Sequence, residues 1–191
     1  MANDTRHKMV VGAARLLAER GLQETSFSEV LELTGAPRGS IYHHFPEGKD
    51  QLIASAVDLA GAHAIALIDR AEGNSPLEIT THFIGMWREV LVRSHFKAGC
   101  SVLAVTIATD SPDLLGHAAN VFRNWRIRLA ELLRAGGLSE TNASRFAAIL
   151  IASTEGGVVL SRAEQNMEPF ELVAEQLLAQ VVALEATGAT A

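Results

Sequence analysis

The sequence predicts an all-α protein, in which a small N-terminal three-helix domain precedes a larger helical domain. Three observations support this fold class. Apolar residues recur at helical spacing almost throughout the chain, no segment alternates apolar and polar residues as a strand does, and breaks rich in Gly and Pro separate the apolar runs. These breaks divide the 191 residues into about nine helices.

The first two predicted helices are marked by their ends. A helix over about 5–20 stops at Gly21, which suits a C′ position because glycine accepts a left-handed backbone. Ser26 with Glu29 three residues later matches a capping box, which starts a short second helix that ends at Gly35.

A third helix begins at Pro37, since proline costs nothing in a first turn, and continues to about Phe45. Two short helices joined by a tight turn with glycine form a helix-turn-helix at about 28–45. We place the first domain at residues 1–50 and the second at 51–191. The remaining helices are expected at about 49–71, 76–95, 100–109, 112–135, 141–165 and 169–186.

Composition describes an ordinary globular chain, with 48% hydrophobic and 20% charged residues. The net charge of −6 argues weakly against nucleic acid, but residues 1–50 are nearly neutral, with six Lys/Arg and seven Asp/Glu. No stretch approaches 18 uninterrupted apolar residues, so we expect no membrane span. The polar N-terminus and the single Cys100 lead us to expect a cytoplasmic protein without an internal disulfide.

The second and third helices carry a family resemblance. Residues 27–45 read FSEVLELTGAPRGSIYHHF, and residues 46–53 read PEGKDQLI. This run strongly resembles the DNA-binding domain of the TetR family, and within it the subgroup of LmrA/YxaF-like repressors. The resemblance is dense over 8–53 and continues more loosely to about 186.

Residue chemistry agrees with a DNA-binding role for this segment. Arg38 falls in the first turn of the third helix and can pair in bidentate fashion with guanine. Gly39 lets the backbone approach DNA, and Lys49 at a helix start suits a phosphate. The alternatives are that Gly39 is a packing glycine and that one of His43 and His44 only packs or faces solvent. The candidate DNA contacts are Thr25, Ser26, Pro37, Arg38, Gly39, Ser40, Tyr42, His43, His44 and Lys49.

The resemblance also implies a ligand cavity in the second domain. Such a pocket would be mainly apolar with a few polar orienting groups. The alternative for each large side chain is an ordinary core position. The candidate effector contacts are His63, Phe83, Met86, Trp87, Phe96, Thr106, Phe122, Trp125, Arg126 and Glu155.

The last two helices are expected to form a homodimer interface, because the resemblance implies a four-helix bundle with their copies. Small residues on one broad face would allow close helix approach. The alternative is a monomeric core. The candidate interface residues are Phe146, Ile149, Ser153, Gly156, Gly157, Leu160, Val173, Leu177 and Val181.

No catalytic residues, metal-ligand spacing or cofactor motif are found, so an enzyme is not expected. The sequence therefore predicts a regulator, in the role of a repressor, that binds a palindromic DNA operator as a dimer. A small, largely apolar or aromatic effector would release it. The alternative is a helical ligand-binding module or an enzyme with an incidental helix-turn-helix.

Overall fold

A computed structural model describes residues 2–188, and over this range the chain forms nine α-helices and no strand. The all-α prediction is confirmed. The helices are α1 Ala2–Arg20, α2 Phe27–Thr34, α3 Arg38–His44, α4 Lys49–Ile68, α5 Pro76–Arg93, α6 Ser101–Ala108, α7 Pro112–Ala135, α8 Glu140–Glu164 and α9 Glu168–Gly188.

Several helix ends differ from the predicted ones for local reasons. Pro37 is the N-cap of α3 and not its first helical residue. A 3₁₀ turn, Asp69–Ala71, follows α4. Helix α5 ends earlier than expected because His95 and Phe96 adopt left-handed φ angles of 50° and 61°, which cannot continue a right-handed helix.

Half of the predicted capping box at α2 is formed. Ser26 Oγ accepts the Glu29 N–H at 3.2 Å, as expected for an N-cap. The Glu29 carboxylate does not return to the Ser26 backbone, since Arg20 at the end of α1 holds it at 2.6 Å. The side chain that would complete the box instead ties α1 to α2.

The chain divides into two compact units, and the first comprises the chain up to His63 together with Cys100–Phe122. The expected domain at 1–50 forms part of this unit, which is larger because α6 packs against α1. Its core holds side chains that are at most 1% exposed. They include Met9, Leu17, Val30, Ile41, Phe45, Leu52 and Ile53.

The second unit comprises Ala64–Gly99 and the chain from Arg123 onwards. Here α8 packs along α9, and α5 packs against both. The start of α9 is fixed by Ser161 of α8, whose buried Oγ accepts the Phe170 N–H at 3.0 Å. On the outer side, Arg88 of α5 donates to both carboxylate oxygens of Glu171 of α9, each at 2.7 Å.

Among the described residues, two helical segments are long and apolar enough to cross a membrane by length and composition alone, Lys49–Ala71 and Glu140–Glu164. We expected none from the sequence, since no uninterrupted apolar run approaches 18 residues. Core helices of soluble proteins pass the same test. Half of the most apolar window of the second segment is buried inside the protein.

Candidate nucleic-acid interface

Helix α3 keeps a single side chain in the core and turns the rest outward. Ile41 is 1% exposed, and it is the one residue of α3 that is buried. The first turn is closed by Ser40, whose Oγ donates to the Pro37 carbonyl at 2.6 Å. A short helix anchored by one apolar residue can present several side chains to an external partner.

The outward face of α3 carries the groups that the sequence singled out. Arg38 and His43 are exposed, and Tyr42 is 69% exposed although it is aromatic. Phe27 of α2 holds the Tyr42 ring edge-on at a centroid distance of 5.8 Å. The half-buried His44 ring lies 5.2 Å from that of His43. Tyr42 is therefore oriented by a neighbour while its surface stays open.

Gly39 has no structural reason to be glycine within its own chain. It lies within helix α3, its φ is outside the left-handed region, and a Cβ added to it would meet no atom within 4 Å. Glycine inside a helix costs roughly 0.5–1 kcal/mol relative to alanine. The packing alternative for Gly39 therefore finds no support in its described surroundings.

Lys49 begins α4, directly after Gly48 in its left-handed turn (φ 94°). Its Nζ donates to the Leu22 carbonyl at 3.1 Å, beyond the end of α1. An ammonium carries three donors, so this bond fixes the head group and leaves others for a second acceptor. The contact holds the cation at the N-terminal end of α4, where free backbone N–H groups favour an anion.

Thr25 and Ser26 both have internal partners. Thr25 is 1% exposed, and its Oγ1 donates to the Gly21 carbonyl at 2.8 Å. A phosphate contact from Thr25 would therefore require the turn between α1 and α2 to open. Ser26 is half-buried, and its Oγ bonds Ser28 at 2.9 Å besides capping α2.

The charges of this surface are few. Among the described residues Arg38 takes part in no ion pair, whereas Arg20 pairs with Glu29. Glu47 and Asp50 are also exposed nearby in the chain. The candidate interface thus offers a small number of placed donors, and residues 1–50 carry a formal charge near zero.

The predicted effector residues are divided between the two units. Three belong to the first unit: His63, Thr106 and Phe122. The others belong to the second, in which Phe83, Trp125 and Glu155 are buried, Arg126 is exposed, and Met86, Trp87 and Phe96 are half-buried. The Trp87 indole N–H is buried and finds no hydrogen-bond acceptor among the described residues.

The predicted interface residues separate into two groups. Phe146, Gly157, Leu177 and Val181 are buried within the second unit, and a Cβ on Gly157 would lie 3.2 Å from the Phe170 ring. Ser153 and Val173 are half-buried. Ile149, Gly156 and Leu160 are exposed. The first group therefore fills the core of the protomer, and only the others remain available to a partner.

The exposed residues of α8 form one stripe that runs along the helix. Their spacing of three, four and seven residues places them on one face. Val159 on α8 and Leu172 and Val182 on α9 are also exposed, by 50%, 61% and 49%, and were not among the predicted interface residues. We call the exposed small and aliphatic residues of these two helices the apolar stripe, and it comprises Ile149, Ala152, Gly156, Val159, Leu160, Leu172 and Val182.

Within the described residues, no group of three or more His, Cys, Asp or Glu side chains is arranged to hold a metal ion. Cys100 is buried as the N-cap of α6, and its Sγ accepts the Leu103 N–H at 3.3 Å.

Comparison with known proteins identifies the two parts of the chain. Residues 10–56 match the sequence profile of the tetR family of bacterial regulatory proteins. Residues 76–176 match the C-terminal domain of LmrA/YxaF-like transcriptional regulators. The fold is that of a regulatory protein TetR from Rhodobacter sphaeroides, with a TM-score of 0.80, 23% identity and coverage of 91% of this chain and 97% of that one.

Two bacterial proteins extend the match over nearly the whole chain. The uncharacterized HTH-type transcriptional regulator Rv0196 of Mycobacterium tuberculosis is 40% identical, over 90% of this chain and 91% of its own. The HTH-type regulator YxaF of Bacillus subtilis is 31% identical, over 91% of this chain and 93% of its own. These similarities run through both the helix-turn-helix and the C-terminal helices.

Proposed function

Because this chain belongs to the TetR family of bacterial transcriptional regulators, we propose that it is a cytoplasmic repressor whose α3 enters the major groove of an operator. The observation that carries the proposal is the outward face of α3. It joins Arg38, which forms no ion pair among the described residues, with the exposed Tyr42 and with Gly39, at which an added Cβ would meet open space. A polyanion with readable base edges is the partner that fits this combination.

Roles follow from where each side chain lies. Arg38, in the first turn of α3, contacts a base. Guanine is the base that can accept two hydrogen bonds from its guanidinium group. Tyr42, His43 and Lys49 contact phosphates, while Gly39 permits the close approach. Pro37 and Ser40 shape the first turn. Thr25 is left out, because its hydroxyl is buried and bonded.

Dimerisation is the second part of the proposal, and the apolar stripe supports it. Five aliphatic side chains of the stripe are between 41% and 61% exposed, on helices that are otherwise well packed. A four-helix bundle with a second copy would cover them, and Gly156 would allow the helices to approach closely. A two-fold dimer presents two α3 helices about one DNA turn apart, which requires a near-palindromic operator.

Release by a small molecule is the third part. The buried Trp87 N–H has no acceptor among the described residues, and a bound molecule with an acceptor atom would satisfy it. Neighbouring positions on the same face of α5, such as Phe83, are apolar. The expected effector is therefore largely apolar or aromatic with at least one acceptor. It lowers DNA affinity only as far as it binds the two states differently.

The decisive experiment measures DNA binding of the wild type and of Arg38→Ala by fluorescence anisotropy, on duplexes from the protein's own upstream region. Wild type should select one palindromic duplex, and affinity should fall steeply between about 50 and 200 mM salt. Arg38→Ala should lose about 1–3 kcal/mol, or roughly 5- to 150-fold, on that duplex. Arg70→Ala, which removes an exposed charge in the second unit, is the matched control. Equal binding by Arg38→Ala and the wild type would contradict the assignment.

A further inference from the structure

Arg6, near the start of α1, contacts two other helices of the first unit. Its Nη2 donates to Ser55 Oγ on α4 at 3.1 Å. Its guanidinium carbon also lies 5.2 Å from the centroid of the Phe45 ring, over the face that attracts a cation. Phe45 is the C-cap of α3 and is 0% exposed. One side chain of α1 is therefore bound to the end of α3 and to the second turn of α4.

The partners of Arg6 lead back to the connection between α3 and α4. Ser55 Oγ donates in turn to the Gln51 carbonyl at 2.9 Å. The side-chain oxygen of Gln51 accepts the Glu47 N–H at 3.3 Å, within the loop that joins the two helices. These bonds form a continuous set from α1 through α4 to the α3–α4 loop.

Arg6 borders an opening between α1 and α4. An open groove of about 400 Å³ lies between them, lined by Arg6, His7 and Val10 of α1 and by Ser55, Asp58 and Leu59 of α4. Asp58 is engaged elsewhere, since its Oδ1 lies 2.9 Å from His117 Nδ1 on α7. Arg6 thus spans a gap that side-chain packing does not fill.

We infer that Arg6 is a positioning residue for sequence-specific DNA recognition. By holding the end of α3 and the second turn of α4, it fixes the angle at which Arg38 and Lys49 are presented together. Hydrogen bonds to base edges depend strongly on that angle, whereas electrostatic attraction to phosphates depends on it less. This inference rests on the proposed function, because it assigns a role within the same DNA-binding surface.

The test uses the full-length protein and a duplex that the wild type selects from a random-sequence library, with a scrambled duplex beside it. Arg6→Gln should weaken the selected duplex on the order of 10-fold. Binding to the scrambled duplex and the slope of affinity against salt should not change, since no phosphate contact is lost. Arg15→Gln on the same helix, which removes an exposed arginine paired only with Glu19, is the matched control.

A double-mutant cycle separates positioning from simple loss of folding. Ser55→Ala should weaken the selected duplex less than Arg6→Gln does, and the double variant should be no worse than Arg6→Gln alone. Arg6→Lys, which keeps the charge over the Phe45 ring, should recover part of the affinity. Titration of the binding-competent fraction and thermal melting accompany each variant.

Three results would overturn the inference. A salt slope lower by about one, with equal loss on both duplexes, would make Arg6 a phosphate contact. A loss that disappears after correction for the competent fraction would make it a stability effect. Unchanged affinity in Arg6→Gln would remove the role outright. If the wild type itself selects no sequence, the proposed function fails and the inference fails with it.

Discussion

Helix α3 and the helix pair α8–α9 both present surface that the chain itself does not cover, but the two surfaces have opposite chemistry. On α3 the uncovered groups are a cation, polar aromatic rings and a bare glycine backbone. On α8–α9 they include five aliphatic side chains, Ile149, Val159, Leu160, Leu172 and Val182. The first surface suits a hydrated polyanion, and the second suits another apolar helix.

The anchoring of the two regions differs as well. Helix α3 is seven residues long and buries one side chain, so its conformation depends on neighbours such as Phe27 and Arg6. Helix α8 is 25 residues long and buries nine. Covering a half-exposed aliphatic side chain of the stripe would contribute about 1 kcal/mol, so several together can support a stable association. The proposed DNA contact depends on the placement of a few side chains. The proposed association of two copies depends on the apolar area that it buries.

The largest expected effect comes from a charge in the apolar stripe. Leu160→Glu would bury an unpaired carboxylate in a dimer, so we expect dimer affinity to fall by about 3 kcal/mol or more, roughly 100-fold. Sedimentation equilibrium measures this directly. Binding to a palindromic duplex should weaken in parallel, because a monomer engages only one half-site.

Ile107→Glu is the control for that variant. Among the described residues Ile107 is the most exposed large apolar side chain, at 76%, but it lies on α6 outside the stripe. Its replacement should leave the association state unchanged. If the Leu160→Glu variant associates as tightly as the wild type, the apolar stripe is not a dimer interface.

A smaller effect, with opposite signs in two assays, is expected at Gly39. Gly39→Ala should raise the free energy of unfolding by about 0.5–1 kcal/mol, since alanine favours the helix and its Cβ meets open space. The same methyl group would stand between α3 and DNA, so operator affinity should fall by roughly 10-fold. Urea unfolding and anisotropy titration measure the two quantities.

Gly116 provides the matched comparison for Gly39. It is also an exposed helical glycine with nothing within 4 Å of an added Cβ, but it lies on α7. Gly116→Ala should stabilise the protein to a similar extent without any change in DNA binding. Loss of operator affinity in both variants, or in neither, would show that the open space at Gly39 is not an interface.

The sequence predicted the helices well, because caps and breaks are local. Gly21, Gly35 and Ser26 stand where their backbone or side-chain chemistry requires. Side-chain contacts with a residue far along the chain were harder to predict from the sequence. Glu29 turns to Arg20 instead of completing its capping box, and no local pattern specifies that choice.

The same limit applies to side chains of the two surfaces. Helices α8 and α9 are apolar on both sides, so periodicity alone could not tell that Phe146 and Leu177 face inward while Leu160 faces outward. The exposure of the DNA-binding candidates on α3 was easier to predict. These residues belong to a recognisable motif, and a short polar helix leaves most of its side chains exposed. Arg6 was missed because its partners, Ser55 and Phe45, lie far along the chain.

The smallest predicted effect concerns the ion pair between Arg88 and Glu171. Its loss should change the free energy of unfolding but not the affinity of the dimer. Hydrogen bonds from Arg88 lower the pKa of Glu171 below its usual 4.5, although burial opposes this. A carboxyl with a lowered folded-state pKa contributes stability above the unfolded value, and this is lost as pH falls through the lowered pKa. The pair is more than a third exposed, so Glu171→Gln should cost only about 0.5 kcal/mol at neutral pH.

That cost should vanish in acid, where the wild-type carboxyl is also neutral, and urea unfolding at neutral and acidic pH tests this. Dimer affinity should stay constant throughout, because Glu171 lies outside the apolar stripe and its carboxylate is bonded within the protomer. A cost that grows towards acid pH would contradict the ion-pair account. A change in sedimentation would show that Glu171 belongs to the surface of α9 that faces the partner.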